Sequence, residues 1–512
     1  MKKRHFRNLL ASWSTVTANV LILFFLTPFL VYILGDVRYG IWSLINSLVG
    51  YMGLADLGLR RSITKHINQY LAQKNEHRAA QVVSTSLVLM LFVDIAIVMI
   101  AIILGFLFNQ IFSGVSQEHI PEVRIAILLI GFQLSLGFIT SVFKRAIESF
   151  NRFDLVNFNI LATLIIKNGG YVAVLLVSPS LVGLAAVSLA CQFILCVLLI
   201  IHTMRVWPNL QIHPSLFDKG LAREIRDFGI PTFFDNIAMK VIEYFDIVLT
   251  GIFFSVEMVT IYSIGLMMIR YPSELIQKIT IILTPSFFQE AAVSNNSNLR
   301  YLLIKTANTS ALLYIPAMIG FMVWGDEFIS LWMGPEYQQS AVILSIISPV
   351  FLILPVRESV KLIILGCGSP RRVAMISIGE AVLKLIISIT LITAFKTGLI
   401  GIALGTTIAA FVTCVFLVVH ACRLIDLPLW LFVVQTYGRW LIAIGLFAGM
   451  CLVVQYIVPC RTWLSFWYIV VGLMLAYIPV GGFVVIDRQT RITILQKVPF
   501  FNRIQSGFHT GL

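Results

Sequence analysis

Apolar runs of spanning length recur along the chain, separated by short polar connections. They centre on residues 14–35, 40–58, 82–108, 124–143, 157–178 and 181–204, and, after a polar stretch from Arg205 to Asp227, on 229–254, 258–284, 304–325, 340–364, 373–395 and 398–422. Two further runs cover 438–458 and 463–486. About 20 apolar residues cross the hydrocarbon core as a helix, so the pattern predicts an all-α polytopic membrane protein of about fourteen spans. A connection as short as Ser178-Pro179-Ser180 makes its flanking helices antiparallel.

Composition agrees. Of 512 residues, 59% are hydrophobic and 12% charged, against about 25% charged in soluble proteins, and the mean hydropathy is +0.93. There is too little charge to coat several soluble domains, which excludes a soluble enzyme, a nucleic-acid binder and a disordered scaffold. The net charge of +13 then belongs to loops that face anionic lipid. With the amino terminus inside, the inner segments hold 25 of the 37 Lys and Arg, the outer segments only Arg38, Arg124, Lys396 and Arg461, and eight lie within spans. The positive-inside rule places both termini in the cytoplasm. The first run, about Val16–Leu34, is too long for a signal-peptide core and lacks a small-residue cleavage site.

The two halves repeat. Leu181-Val182-Gly183-Leu184-Ala185 matches Leu399-Ile400-Gly401-Ile402-Ala403 at an offset of 218, and the same offset pairs Cys196 with Cys414, Leu199 with Leu417, His202 with His420 and Arg205 with Arg423. Earlier in each half, Tyr39-Gly40-Ile41-Trp42-Ser43 resembles Thr260-Ile261-Tyr262-Ser263-Ile264. A duplication of six helices gives two parallel repeats about an axis along the membrane normal, an arrangement that commonly houses a substrate path. The expected divisions are a six-helix lobe over 1–204, a cytoplasmic linker over 205–228, a second lobe over 229–423, two extra spans over 424–487 and a basic tail over 488–512.

Charges inside the spans carry the candidate chemistry. An ionisable group at mid-bilayer costs about 2.5–3.5 kcal/mol on insertion scales, so it faces an interior or a watery cavity. Span seven holds Asp235, Lys240, Glu243 and Asp246; span eight places Arg270, Glu274 and Lys278 near one face at i, i+4, i+8. Span ten adds Arg357, Glu358 and Lys361, span eleven Glu380 and Lys384, and span three Asp94. Span five has a stripe of Asn159, Thr163 and Lys167, and span one has Ser12, Thr15 and Asn19. Polar faces on so many helices imply a hydrated cavity between the lobes. Its cations Arg270, Lys240, Lys167, Lys278, Arg357, Lys361 and Lys384 are the candidate substrate-binding groups, suited to phosphate. Arg270 is expected to contact the anion, helped by Lys240 and Lys167. Glu243, Asp246, Glu380 and Asp94 are candidate ion-coupling groups, because burial can lift a carboxyl towards neutrality. The same charges could instead pair within helices, as Glu274–Lys278 and Glu380–Lys384 are spaced to do.

Other chemistries lack a foothold. The chain has no HExxH, GxSxG or GxxxxGK[ST] motif and no segment long enough for a nucleotide-binding domain. No catalytic residue, metal or cofactor is expected, and a proton or sodium gradient or the membrane potential would drive transport. The seven cysteines include no CxxC pair and mostly sit in apolar runs as small hydrophobes. His66 and His77, in a basic loop, read as surface residues.

The run Leu54-Ala55-Asp56-Leu57-Gly58-Leu59 with the basic loop Arg60–Gln81, and Ile329-Ser330-Leu331-Trp332-Met333-Gly334-Pro335-Glu336-Tyr337, have a familiar form. So do Asp246 followed by Tyr262-Ser263, and Gly398-Leu399-Ile400-Gly401-Ile402-Ala403-Leu404-Gly405-Thr406. Over nearly its whole length the chain resembles the bacterial polysaccharide flippases that move O-antigen and exopolysaccharide repeat units. These belong to the superfamily of multidrug, oligosaccharidyl-lipid and polysaccharide exporters. The resemblance implies two six-helix lobes in a V and a lipid-linked oligosaccharide on undecaprenyl pyrophosphate, carried from the cytoplasmic to the outer leaflet of the bacterial cytoplasmic membrane. It also implies membrane lipids, a polysaccharide polymerase and a chain-length regulator as partners, and no nucleic acid. The family shares no strict catalytic motif, and only Asp246 falls on a recurrent position. A multidrug exporter of the same superfamily and a peptidoglycan-precursor flippase are the alternatives. A membrane polymerase or glycosyltransferase would need a long external loop, and the outer segments are short.

Overall fold

The apolar runs fold as helices. The structure, a computed structural model, describes the backbone of residues 2–56 and 59–486, with the side chains of 2–16, 55, 56, 61, 226–235, 274–282 and 370 outside that description. The basic tail at 488–512 and the side chains of Ser12, Thr15, Asp235, Glu274 and Lys278 thus lie outside the described residues. Among the described residues there is no strand, and ten helices are long and apolar enough to cross a membrane, eleven if one bent pair is a single span. The count of fourteen is not established by these helices.

The chain divides into two compact units, Met1–Ile264 and Gly265–Leu512. The first contains α1 (Lys2–Met52), α2 (Leu59–Ala72), α3 (Glu76–Ile111), α4 (Ile120–Ser149), α5 (Phe153–Val177), α6 (Leu181–Val206) and α7 (Lys219–Phe253). The boundary falls inside α8 (Val256–Ala292). The second contains α9 (Asn296–Trp332), α10 (Gln338–Ile347), α11 (Leu354–Gly366), α12 (Pro370–Thr393), α13 (Leu399–Leu424), α14 (Leu429–Val433), α15 (Arg439–Ile457) and α16 (Trp463–Val485).

The offset of 218 also relates two helices. Helices α6 and α13 are each 26 residues long, and 399 minus 181 and 424 minus 206 both give the offset of 218. The paired residues Cys196 and Cys414, and Leu199 and Leu417, are all buried.

Lipid tails are as apolar as leucine, so close approach and polar contacts must hold the helices together. A Cβ on Gly405 of α13 would collide with Ser388 of α12, and one on Gly40 of α1 with the Val256 carbonyl at the start of α8. In the first unit, residues assigned to the outer side meet at one end. Arg38 Nη1 donates to the Pro179 carbonyl at 3.1 Å and lies 3.5 Å from Glu122, whose Oε1 accepts from Leu181 N at 2.6 Å and Ser180 Oγ at 3.0 Å. Residues assigned to the inner side meet at the other. Arg78 Nη1 donates to Asp218 Oδ2 at 2.8 Å, and Asp218 N donates to Thr85 Oγ1 at 3.1 Å.

Two sequence expectations need correction. The basic loop at Arg60–Gln81 is largely helix, because Leu59, Ile63 and Ile67 fall four apart and are buried on one face of α2. His66, expected at the surface, lies on that face and is also buried, whereas His77 is exposed. α1 breaks at Gly35, where φ is 72° and ψ is 166°, between the apolar runs at 14–35 and 40–58. Thr260 Oγ1 donates to the Asp36 carbonyl beside that break at 2.6 Å.

Candidate functional site

The densest buried charge lies in the second unit, and a broken helix creates it. Pro349 lies in the one-turn 3-10 helix Ser348–Leu352, which separates α10 from α11, and Pro355 sits in the first turn of α11; the two segments meet at 42°. Proline cannot donate a backbone bond, so breaks of this kind free carbonyls that side chains must satisfy. Ser348 Oγ donates to the Ser345 carbonyl, which Pro349 cannot satisfy, at 3.0 Å, and Thr407 Oγ1 of α13 to the Ile346 carbonyl at 2.9 Å.

The break brings Arg357 to the beginning of α11, against α12. Arg357 Nη1 donates to Glu380 Oε1 at 2.6 Å, with the residues 5% and 2% exposed. One turn beyond each partner lie Lys361 and Lys384, also buried, so Arg357, Lys361 and Lys384 give three cations against the two carboxylates Glu358 and Glu380. Tyr314 of α9 and Cys414 of α13 lie within electrostatic reach of Glu358 and Arg357. Beside them Asn308 of α9 accepts from Trp440 Nε1 at 2.9 Å and donates to the Gln435 carbonyl at 3.2 Å. The cluster is cationic and held by neutral polar and aromatic neighbours.

The first unit holds a second group on α7. Lys240 Nζ lies 2.7 Å from Glu243 Oε2 and 4.8 Å from the centre of the Tyr244 ring. Both members of the pair are partly exposed, whereas Asp246, one turn on, is buried. Tyr51 of α1 stacks edge-on to Tyr244 at 6.1 Å and feels the charges of Asp246 and Glu243.

The stripe on α5 is largely self-satisfied. Asn159 donates to the Leu155 carbonyl at 2.7 Å and meets His202 Nδ1 at 3.3 Å, and Thr163 donates to the Asn159 carbonyl at 2.7 Å. Lys167 instead sits 5.8 Å from the Tyr171 ring centre, and the Tyr171 hydroxyl meets Ser188 Oγ at 2.5 Å. Asp94 is buried on α3 facing Ser135 of α4, with no cation beside it among the described residues. Arg270 is half-buried in α8, two residues before Pro272, and interacts with other groups of the chain.

The structure thus gathers Arg357, Lys361, Glu380 and Lys384 in one place and Lys240, Glu243 and Asp246 in another. Within the first unit Lys167 lies on α5 and Asp94 on α3, and in the second Arg270 lies on α8. Charge counting in the sequence missed the aromatic and amide groups around them: Tyr51, Tyr171, Tyr244, Tyr314, Asn308 and Trp440. An asparagine inside an apolar run was the one available signal, as at Asn308.

Comparison with known proteins places the chain in a group. The family model described as polysaccharide biosynthesis protein matches residues 29–342, more than half of the chain. A protein of Haloferax volcanii named as a probable flippase of low-salt glycan biosynthesis is 23% identical over 380 residues, which is 73% of this chain and 75% of that one. A protein of Shigella flexneri named for O-antigen transport is 25% identical over 315 residues, 60% of this chain and 71% of that one. Among solved structures, the lipid II flippase MurJ in an inward closed conformation covers 93% of this chain and 99% of its own, with a TM-score of 0.71 at 13% identity. An inward-facing multidrug transporter of the MATE family covers 80% of this chain and 98% of its own, with a TM-score of 0.67 at 12% identity. These two likenesses show the fold.

Proposed function

The chain belongs to the polysaccharide biosynthesis protein family, and on that premise we propose that it flips a lipid-linked oligosaccharide repeat unit across the membrane for surface-glycan assembly. The observation that carries this reading is the match of the polysaccharide biosynthesis family model to more than half of a multi-pass helical chain. Its buried Arg and Lys on α11 and α12 are of the type that phosphoryl oxygens take well. The fold is shared with a lipid II flippase, and the named relatives act on glycans.

The substrate we infer is an oligosaccharide on undecaprenyl pyrophosphate, moved from the cytoplasmic to the outer leaflet of the bacterial cytoplasmic membrane. The excess of Lys and Arg on the inner segments supports cytoplasmic termini. The sugar crosses in a hydrated path while the lipid tail stays in hydrocarbon. The two repeats, 1–204 and 229–423, are its moving parts, and a polymerase and a chain-length regulator act on its product.

An ion gradient or the membrane potential supplies the energy, with no cofactor bound. The pair Lys240–Glu243 supports a proton-coupled step. Protonating Glu243 removes the charge that holds Lys240, which releases an ammonium for a phosphate. Transfer of the proton onward restores the pair and expels the anion. Buried Asp246 lies one turn away on the same helix. Arg270 and Lys167 are the further cations we assign to the anion.

The test is flipping of a lipid-linked oligosaccharide in proteoliposomes with an imposed pH gradient, comparing wild type with Glu243→Gln and Asp246→Asn. Wild type should respond to the gradient and both variants should respond weakly. Full gradient dependence in both variants would reject the pair. A Na⁺ requirement without pH dependence would reject proton coupling, and absence of flipping under either gradient would reject the flippase reading.

A further inference from the structure

A groove of about 620 Å³ runs between α12 and α13. Its walls are apolar, with Met375, Ile376 and Leu383 on one side and Val412, Phe416 and Val419 on the other. Met375 and Phe416 are exposed, so nothing in this unit covers them. One end is closed by three basic side chains, Arg372, His420 and Arg423.

Arg372 Nη1 lies 2.9 Å from His420 Nε2. A guanidinium only donates, so that ring nitrogen accepts and the imidazole serves to aim the arginine. Arg423 forms no ion pair with a described carboxylate. Asp426, three residues on, instead accepts from Asn296 at 2.9 Å. The first turn of α12 carries no acidic residue. The groove end is therefore positive and uncompensated.

The duplication supplies an internal control. The offset of 218 maps Arg423 onto Arg205, His420 onto His202, and Arg372 onto Asp154. In the first unit His202 meets Asn159, and Asp154 accepts from Arg152 Nε at 3.1 Å. Where the first copy has Asp154, paired with Arg152, the second has Arg372.

Depth decides the class of occupant. From Arg372 to Leu383, and from Val412 to Arg423, each wall spans eleven residues, about 17 Å at 1.5 Å per residue. That is about half of the ~30 Å hydrocarbon core, the depth of one leaflet, and it suits an ordinary acyl chain better than a long polyprenyl tail. We propose that this groove holds an anionic phospholipid, its phosphate on Arg372 and Arg423 and one acyl chain laid between α12 and α13.

The experiment is native mass spectrometry of the full-length protein titrated with dioleoyl phosphatidylglycerol or dioleoyl phosphatidylcholine. Wild type should retain the anionic lipid preferentially. An arginine near the membrane surface contributes roughly fivefold to anionic-lipid binding, so Arg372→Gln with Arg423→Gln should weaken phosphatidylglycerol on the order of 25-fold and leave phosphatidylcholine unchanged. A second variant tests the groove without touching charge. A Cβ on Gly379, which lines the groove, meets nothing within 4 Å, so Gly379→Leu extends its side chain from open space into the groove. It should displace the lipid with thermal unfolding unchanged. Equal retention of the two lipids, or full phosphatidylglycerol binding in either variant, would overturn the proposal. Displacement of phosphatidylglycerol by equimolar undecaprenyl phosphate would overturn it in favour of the carrier lipid, and displacement by inorganic phosphate in favour of a bare anion site.

Discussion

Arg357 of α11 and Glu380 of α12 form an ion pair of 2.6 Å with both side chains withdrawn from their surroundings. Desolvating two charges costs much of what their attraction returns, so such a pair adds little net stability. Removing one partner leaves a buried charge and costs about 3–5 kcal/mol. Arg357→Met and Glu380→Leu should each reduce folded protein in the membrane, and the double variant should recover most of it. Fluorescence-detected size exclusion of the four proteins reads the cycle. Recovered abundance with transport still absent would assign the pair to function; recovery of both would make it purely architectural.

Arg270→Ala should abolish surface glycan in complemented cells while membrane abundance stays near wild type. If abundance falls with glycan, Arg270 supports the fold and the substrate anion is held elsewhere.

Two groups outside the spans set an acid limit on stability. The Leu221 N–H and the Arg78 guanidinium hold the Asp218 carboxyl below the usual carboxylate range. Its contribution is therefore present above about pH 4, the unfolded value, and is lost as pH falls through the lower folded value. Burial, with help from Lys65, pushes the His66 imidazole down, while Glu224 opposes the shift. Neutral His66 thus contributes fully above about pH 6.5 and less as pH falls through the folded value. Thermal unfolding from pH 8 to pH 3 should fall in two stages; His66→Gln should flatten the first and Asp218→Asn the second.

Gly405→Val should lower the unfolding temperature, because its Cβ would meet Ser388 backbone as well as its hydroxyl. Overpacking of this kind costs about 1–3 kcal/mol. Gly379→Val, on the neighbouring helix with open space around it, is the control and should change little.

Reporter fusions after Arg78 and Arg226 should read cytoplasmic, and those near Glu118 and Glu336 external. External placement of α2 would reverse the inferred direction of transport.

The helices were legible in the sequence because each apolar run is of about spanning length, and the repeat at an offset of 218 is read from polar as well as apolar positions. His202 and His420, Arg205 and Arg423 carried that signal. What stayed hidden depended on three-dimensional proximity. Glu380 has Lys384 at i+4 within its own helix, yet the short bond runs to Arg357 across a proline-broken turn. Hydropathy averages over that turn and cannot report the direction in which α11 departs. The helical α2 was hidden for another reason: its many charges lower the mean hydropathy, while burial depends on Leu59, Ile63 and Ile67 alone. Lys240 and Glu243, given separate roles from the sequence though three residues apart, are in contact at 2.7 Å.

The break at Gly35 combines positive φ with extended ψ, a region essentially confined to glycine. Five residues later Gly40 sits against the Val256 carbonyl, and Asp36 between them accepts from Thr260. A helix with 3.6 residues per turn rotates by about 100° with each residue added or removed. One codon gained or lost between Gly35 and Gly40 would therefore turn the close-fitting face away from Val256 and present a side chain where only hydrogen fits. Length is as strictly constrained as identity over this stretch, so insertions and deletions that distinguish this chain from its relatives should fall elsewhere.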